Sequence, residues 1–115
     1  MELTGKCKEE FEGYLNKLRK HETERKFADI DMIIESQGYD FDDLPDSMKY
    51  GVLVDYFDSV FIDVNVRKYR TSGRFFYTIF DIKNKSYQNV LDTRLEAMTA
   101  SIEKADELRN EVLNK

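Results

Sequence analysis

The chain has few of the residues that build disulfides, metal clusters or membrane spans. Its one cysteine, Cys7, allows no internal disulfide and no cysteine metal cluster. It reads instead as a small apolar residue on a helix face. Histidine occurs once, at His21, proline once, at Pro45, and tryptophan not at all. There is no run of about 18 apolar residues, so no membrane-spanning helix is expected. The opening Met-Glu-Leu-Thr-Gly-Lys lacks the basic and apolar regions of a secretory signal. A lone thiol and no leader fit a reducing cytoplasm. No motif commits the chain to a reaction, so no catalytic residue, metal site or cofactor is assigned and the protein is not expected to be an enzyme.

What is abundant is charge, unevenly placed. The chain of 115 residues carries a net charge of −5. Residues 27–63 alone carry −9, and residues 64–85 carry +5. An acidic middle therefore runs directly into a basic stretch, which bears on partners rather than on fold. The length suits one domain with a single core.

Val60 to Ile82 organises the rest. Val60, Ile62, Val64 and Val66 alternate with Phe61, Asp63, Asn65 and Arg67, the period of a half-buried strand. Arg74 to Ile82 forms the returning strand, across a three-residue loop, Thr71-Ser72-Gly73, with glycine in the left-handed position. Pairing Arg70 with Arg74 sets Val66 opposite Thr78, Val64 opposite Phe80 and Ile62 opposite Ile82. Phe61, Tyr69, Phe75, Tyr77 and Ile79 then point away from that core face. They become protein-binding candidates, unless helices cover both faces of the sheet. The same register sets Asp63 against Asp81, which is unfavourable.

Around this hairpin the periodicity predicts helices. Leu3, Cys7, Phe11, Tyr14, Leu15 and Leu18 mark one from about Thr4 to Lys20. Phe27, Ile30, Ile33 and Ile34 mark a second, about Glu24 to Gln37, stopped by Gly38. A third runs from Pro45 to about Ser59, with Met48, Val52, Leu53, Tyr56 and Phe57 inward. Thr93 and Glu96 form a capping box for a long final helix. Its stripe is Leu91, Leu95, Met98, Ile102, Ala105, Leu108 and Val112. A third strand is conceivable from Ser86 to Leu91. The class is α+β: a helical N-terminal half, one antiparallel hairpin and a long C-terminal amphipathic helix, as a single domain over residues 1–115.

Three stretches carry a resemblance: Leu3-Thr4-Gly5-Lys6-Cys7-Lys8-Glu9-Glu10-Phe11, the block from Leu44-Pro45-Asp46 to Tyr56-Phe57-Asp58-Ser59, and Thr93-Arg94-Leu95-Glu96-Ala97 with Ile102-Glu103-Lys104-Ala105. With these blocks the chain resembles a family of short orphan proteins of phages and integrated elements of Bacteroides-type bacteria. The resemblance brings no activity and no site residue. It implies a small cytoplasmic accessory protein made by a mobile element.

Three constellations bear on function. Asp40, Asp42, Asp43 and Asp46 form an acidic surface, but Leu44 and Pro45 break the spacing of an EF-hand loop. Asp55, Asp58, Asp63 and Asp81 offer paired carboxylates without a histidine partner. Arg67, Lys68, Arg70 and Arg74, beside Tyr69, Phe75, Phe76 and Tyr77, would suit phosphates and stacked bases. The leading expectation is a non-catalytic module that binds a host protein, such as a defence component, as monomer or homodimer and away from membranes. A nucleic-acid-binding module using the hairpin tip is the alternative.

Overall fold

The structure, a computed structural model, describes residues 1–20 and 41–115. The helix expected over Glu24–Gln37 lies outside the described residues, as does Asp40. The described elements are α1 (Gly5–Lys20), a 3-10 turn (Phe41–Asp43), α2 (Asp46–Ser59), β1 (Asp63–Lys68), β2 (Phe75–Phe80), β3 (Ser86–Leu91) and α3 (Arg94–Leu113). The class is α+β, and the third strand is present. The sheet is antiparallel in the order β1-β2-β3.

The hairpin register differs from the expected one by a single residue. Val64 lies opposite Ile79, Val66 opposite Tyr77 and Asp63 opposite Phe80. The cause is the loop. The Tyr69 N–H donates to the Arg74 carbonyl (2.8 Å) and the Gly73 N–H to the Tyr69 carbonyl (3.1 Å). The loop is therefore four residues, Arg70 to Gly73, and not three. Gly73 still ends it in the left-handed region, at φ +72°. One added loop residue shifts the register by one and exchanges the faces of β2. Tyr77 and Ile79, expected outside, are 8% and 0% exposed in the core. Phe80 and Ile82, expected inside, are 39% and 56% exposed. The shift also separates Asp63 from Asp81, and Asp81 instead accepts the Lys83 and Lys85 N–H groups (both 2.9 Å) in the β2–β3 turn.

The described helices lie on one side of the sheet. α3 crosses all three strands and also packs against α1 and α2. Leu53, Tyr56 and Phe57 of α2, Cys7 and Phe11 of α1, and Ile102, Ala105 and Leu108 of α3 join Ile62, Val64, Tyr77 and Ile79 in one core cluster. Phe76, Phe80 and Val90, on the other sheet face, take no part in it. The layering is thus helices on sheet, and no helical layer among the described residues covers the second face.

α3 starts as expected: Thr93 Oγ1 accepts from the Glu96 N–H (3.1 Å), and its hydroxyl donates to the Glu96 carboxylate (3.0 Å). The predicted stripe is right in its middle and wrong at its ends. Leu95 and Val112 are exposed, whereas Ala97, Ser101 and Asp106 are buried. Ala97 and Ser101 are small and fully buried, and Asp106 turns to Thr4 beside α1. Pro45 sits just before α2 and caps it through its carbonyl, which accepts from Met48 and Lys49.

Candidate interaction surface

The end of α2 builds the most unusual feature of the surface. The Ile62 N–H donates to the Phe57 carbonyl (2.9 Å) and the Phe61 N–H to the Asp58 carbonyl (3.0 Å). That pair of bonds is a Schellman motif, with the apolar contact between Phe57 and Ile62 buried beneath it. The motif needs its C′ residue in the left-handed region, where glycine is usual. Here it is Phe61, at φ +66°. A side chain in that region costs about 1–2 kcal/mol. The Phe61 ring recovers little of this by burial, because it is 74% exposed.

Phe61 does not stand alone. It lines a shallow concavity with Phe80, Ile82, Asp58, Asp63, Asp81 and Asn84. The β2–β3 turn supplies the second wall. Asn84 takes the left-handed position there, at φ +64°, and the Asn84 N–H donates to the Asp81 carbonyl (2.9 Å). The result is an apolar cluster with three carboxylates around it. The Asp81 carboxyl is held below its usual range, chiefly by the Lys85 N–H and also by the Lys83 N–H. On the exposed face of α2 that Asp55 shares with Asp58, desolvation and the neighbouring Asp58 raise the Asp55 carboxyl.

The expected contact residues divide. Phe61 and Tyr69 are exposed. Tyr69 rests on Phe76, with ring centroids 4.5 Å apart. Phe75 is half-buried on the helix side, with the Arg94 guanidinium 4.8 Å and the Lys68 ammonium 5.9 Å from its ring centre. Tyr77 and Ile79 are core residues and are withdrawn as contacts, because the register turns them inward. At the tip, Arg67, Lys68, Arg70 and Arg74 are all exposed, but Arg74 is engaged by Asp92 (3.0 Å). Asp42, Asp43 and Asp46 are exposed around the start of α2. No group of three or more metal-ligating side chains is gathered among the described residues.

Sequence reasoning missed Phe80 and Ile82, which the three-residue loop had placed inside. A signal was available: the Asp63–Asp81 opposition in that register was already unfavourable.

A partly buried polar network lies elsewhere, where α1 meets α3. The Asp106 carboxylate accepts from the Thr4 N–H (3.0 Å) and hydroxyl (2.7 Å). Asn110 accepts from the Cys7 N–H (2.9 Å) and donates to the Thr4 carbonyl (3.0 Å). Gly5, at φ +56°, lies so close that a Cβ would come within 3.0 Å of Asn110 Oδ1. Arg109 grips Glu10 through both carboxylate oxygens (2.8 and 2.7 Å), and the Tyr56 hydroxyl donates to Glu10 (2.7 Å). Cys7 is fully buried beside Tyr56. These bonds join the start of the chain to the last helix.

Comparison with protein-family models, with curated proteins and with solved structures finds no match. No described helix is long and apolar enough to cross a membrane.

Proposed function

We propose that the protein is a non-catalytic protein-binding module, and that Phe61 and Ile82 are the centre of its contact surface. One observation carries this reading. Phe61 occupies a backbone position that disfavours every side chain, and its ring projects into solvent. A residue that breaks a local rule without a local gain marks a site under another demand. Aromatic side chains in such settings serve as binding anchors. Asp58, Asp63 and Asp81 around the cluster favour a partner surface with an apolar centre and a basic rim. The resemblance to phage and mobile-element proteins supports a host protein as that partner, such as a defence component, met in the bacterial cytoplasm.

The test compares capture from a bacterial host lysate by the wild type, by Phe61→Ala/Ile82→Ser and by Tyr69→Ala as a control. The expected result is one specific host protein lost only with the first variant, at unchanged melting temperature. Equal capture by all three would overturn the reading.

Nucleic-acid binding at the hairpin tip is the second reading. The Tyr69–Phe76 ring pair favours it, together with Arg67 and Arg70, which have no acidic partner among the described residues. Single-stranded DNA and RNA at about 50 mM salt are the probes, since phosphate contacts are strong there. Binding that disappears when Arg67, Lys68, Arg70 and Arg74 become Glu would support this reading. No binding by the wild type removes it.

A further inference from the structure

The sheet face that no described helix covers has its own charge order. Three cross-strand rows can be read along it: Asp63–Phe80–Ser86, Asn65–Thr78–Gln88 and Arg67–Phe76–Val90. One end is acidic with an aromatic ring, the other basic with an aromatic ring, and the middle row is neutral and polar. Phe76, Thr78 and Val90 are half-buried and Phe80 is exposed, yet none packs on the core. Asp63 and Arg67 are both exposed. They lie on one strand about 13 Å apart, too far to neutralise each other. Lys85, in the turn beside the acidic end, leans the other way, with its ammonium 5.4 Å from the Tyr87 ring on the helix side.

We infer that this face binds the same face of a second copy of the chain, as a two-fold dimer whose axis runs along the Asn65–Thr78–Gln88 row. Such an axis sets each strand over its own copy in the opposite direction. Asp63 then faces the second copy's Arg67, and Phe80 faces the second copy's Phe76, with Tyr69 beside it. Both pairs occur twice by symmetry, as an isologous interface requires. An axis along the strands would instead superpose strand positions, leaving the acidic ends together and the basic ends together. Two sheets pack this way at a spacing of about 10 Å. The face is roughly 14 Å wide and 17 Å long, about 240 Å² per copy, below the roughly 600 Å² per partner of a stable specific interface, so the dimer is a weak, concentration-dependent one. It leaves Phe61 and Ile82 at its border but takes Phe80 and Asp63 from the same concavity, so the dimer and a partner held at Phe61 share one edge.

Sedimentation equilibrium of the full chain from about 10 to about 500 µM tests this, a range suited to a small interface. The wild type is expected to dimerise, more weakly at high salt. Asp63→Arg and Arg67→Asp are each expected to weaken the dimer at least about tenfold, and the double exchange to restore it to within about threefold. Gln88→Lys, which faces its own copy across the axis, is expected to abolish it at unchanged melting temperature. A wild type that stays monomeric throughout overturns the inference. So does a dimer indifferent to Gln88→Lys, or single exchanges that the double exchange fails to rescue. A monomer with a large stability loss on Phe80→Ser would show instead that the face is covered within the chain.

Discussion

Three residues at the α1–α2–α3 junction make stability depend on pH. Burial, only partly offset by its hydrogen bond to Tyr56, pushes the Cys7 thiol up to about 12. Burial and the hydrogen bond to Glu10 raise the Tyr56 phenol as well. In the unfolded chain the thiol ionises near pH 8.5. Above that pH the unfolded state holds fewer protons than the folded one, so stability falls as pH rises. The contribution of Cys7 is complete below about pH 8.5 and is lost progressively toward about 12. Denaturant midpoints measured from neutral to alkaline pH are expected to decline, and to decline less steeply in Cys7→Ala. Equal slopes would show that Cys7 is not buried as described. The acid limb has the opposite sign. The Arg109 guanidinium lowers the Glu10 carboxyl, so its contribution is present at neutral pH and is lost as pH falls through and below the ordinary carboxylate range. Glu10→Gln is expected to cost about 1–2 kcal/mol at pH 7 and to flatten that limb. An acid limb unchanged in Glu10→Gln would place the titration elsewhere.

At the scale of elements, the helices were legible and the sheet register was not. Helix signals are local: the Thr93–Glu96 cap, Pro45 and the apolar spacing of Leu3, Cys7 and Phe11 mark α1, α2 and α3 within a few residues. Register depends on one count, the number of residues in a loop. Gly73 fits the end of a three-residue loop and of a four-residue loop equally well. The pairing of Tyr69 with Arg74 separates them, and the sequence hints at it only indirectly, through the Asp63–Asp81 opposition that the shorter loop would create. The two registers differ in a simple test. Ile79 is fully buried, whereas its neighbour Thr78 lies on the open face. Ile79→Asp is expected to unfold the protein by burying an unpaired charge. Thr78→Asp is expected to change stability by less than about 1 kcal/mol. Comparable losses from both, read by thermal melts, would mean that the second face is also buried. α3 supplies the other element-scale test. Asp106 holds Thr4 by two hydrogen bonds, so Asp106→Ala is expected to cost about 2 kcal/mol and to raise amide exchange in residues 3–8. Exchange unchanged there would mean the N-terminus is held by something else.

On the scale of the whole molecule, the uneven charge of the sequence becomes a division of surface. The acidic middle of the chain brings Asp58 and Asp63 to the end of α2, beside Asp81, and the basic stretch forms the hairpin tip at the far end of the same sheet. Among the described residues, helices take one face of the sheet only, and each charged end borders an exposed aromatic ring, Phe80 at one and Tyr69 at the other. The left-handed Phe61 was not legible in the sequence, because the residue that ordinarily announces such a position is glycine. Its role is nevertheless the part of the account most directly open to measurement. Phe61→Gly removes the ring and the backbone strain together. The expected variant is more stable than the wild type by about 1 kcal/mol and no longer captures the host protein proposed as its partner. A variant that loses stability, or that gains it and binds as well as before, would contradict the assignment of Phe61 as the binding anchor.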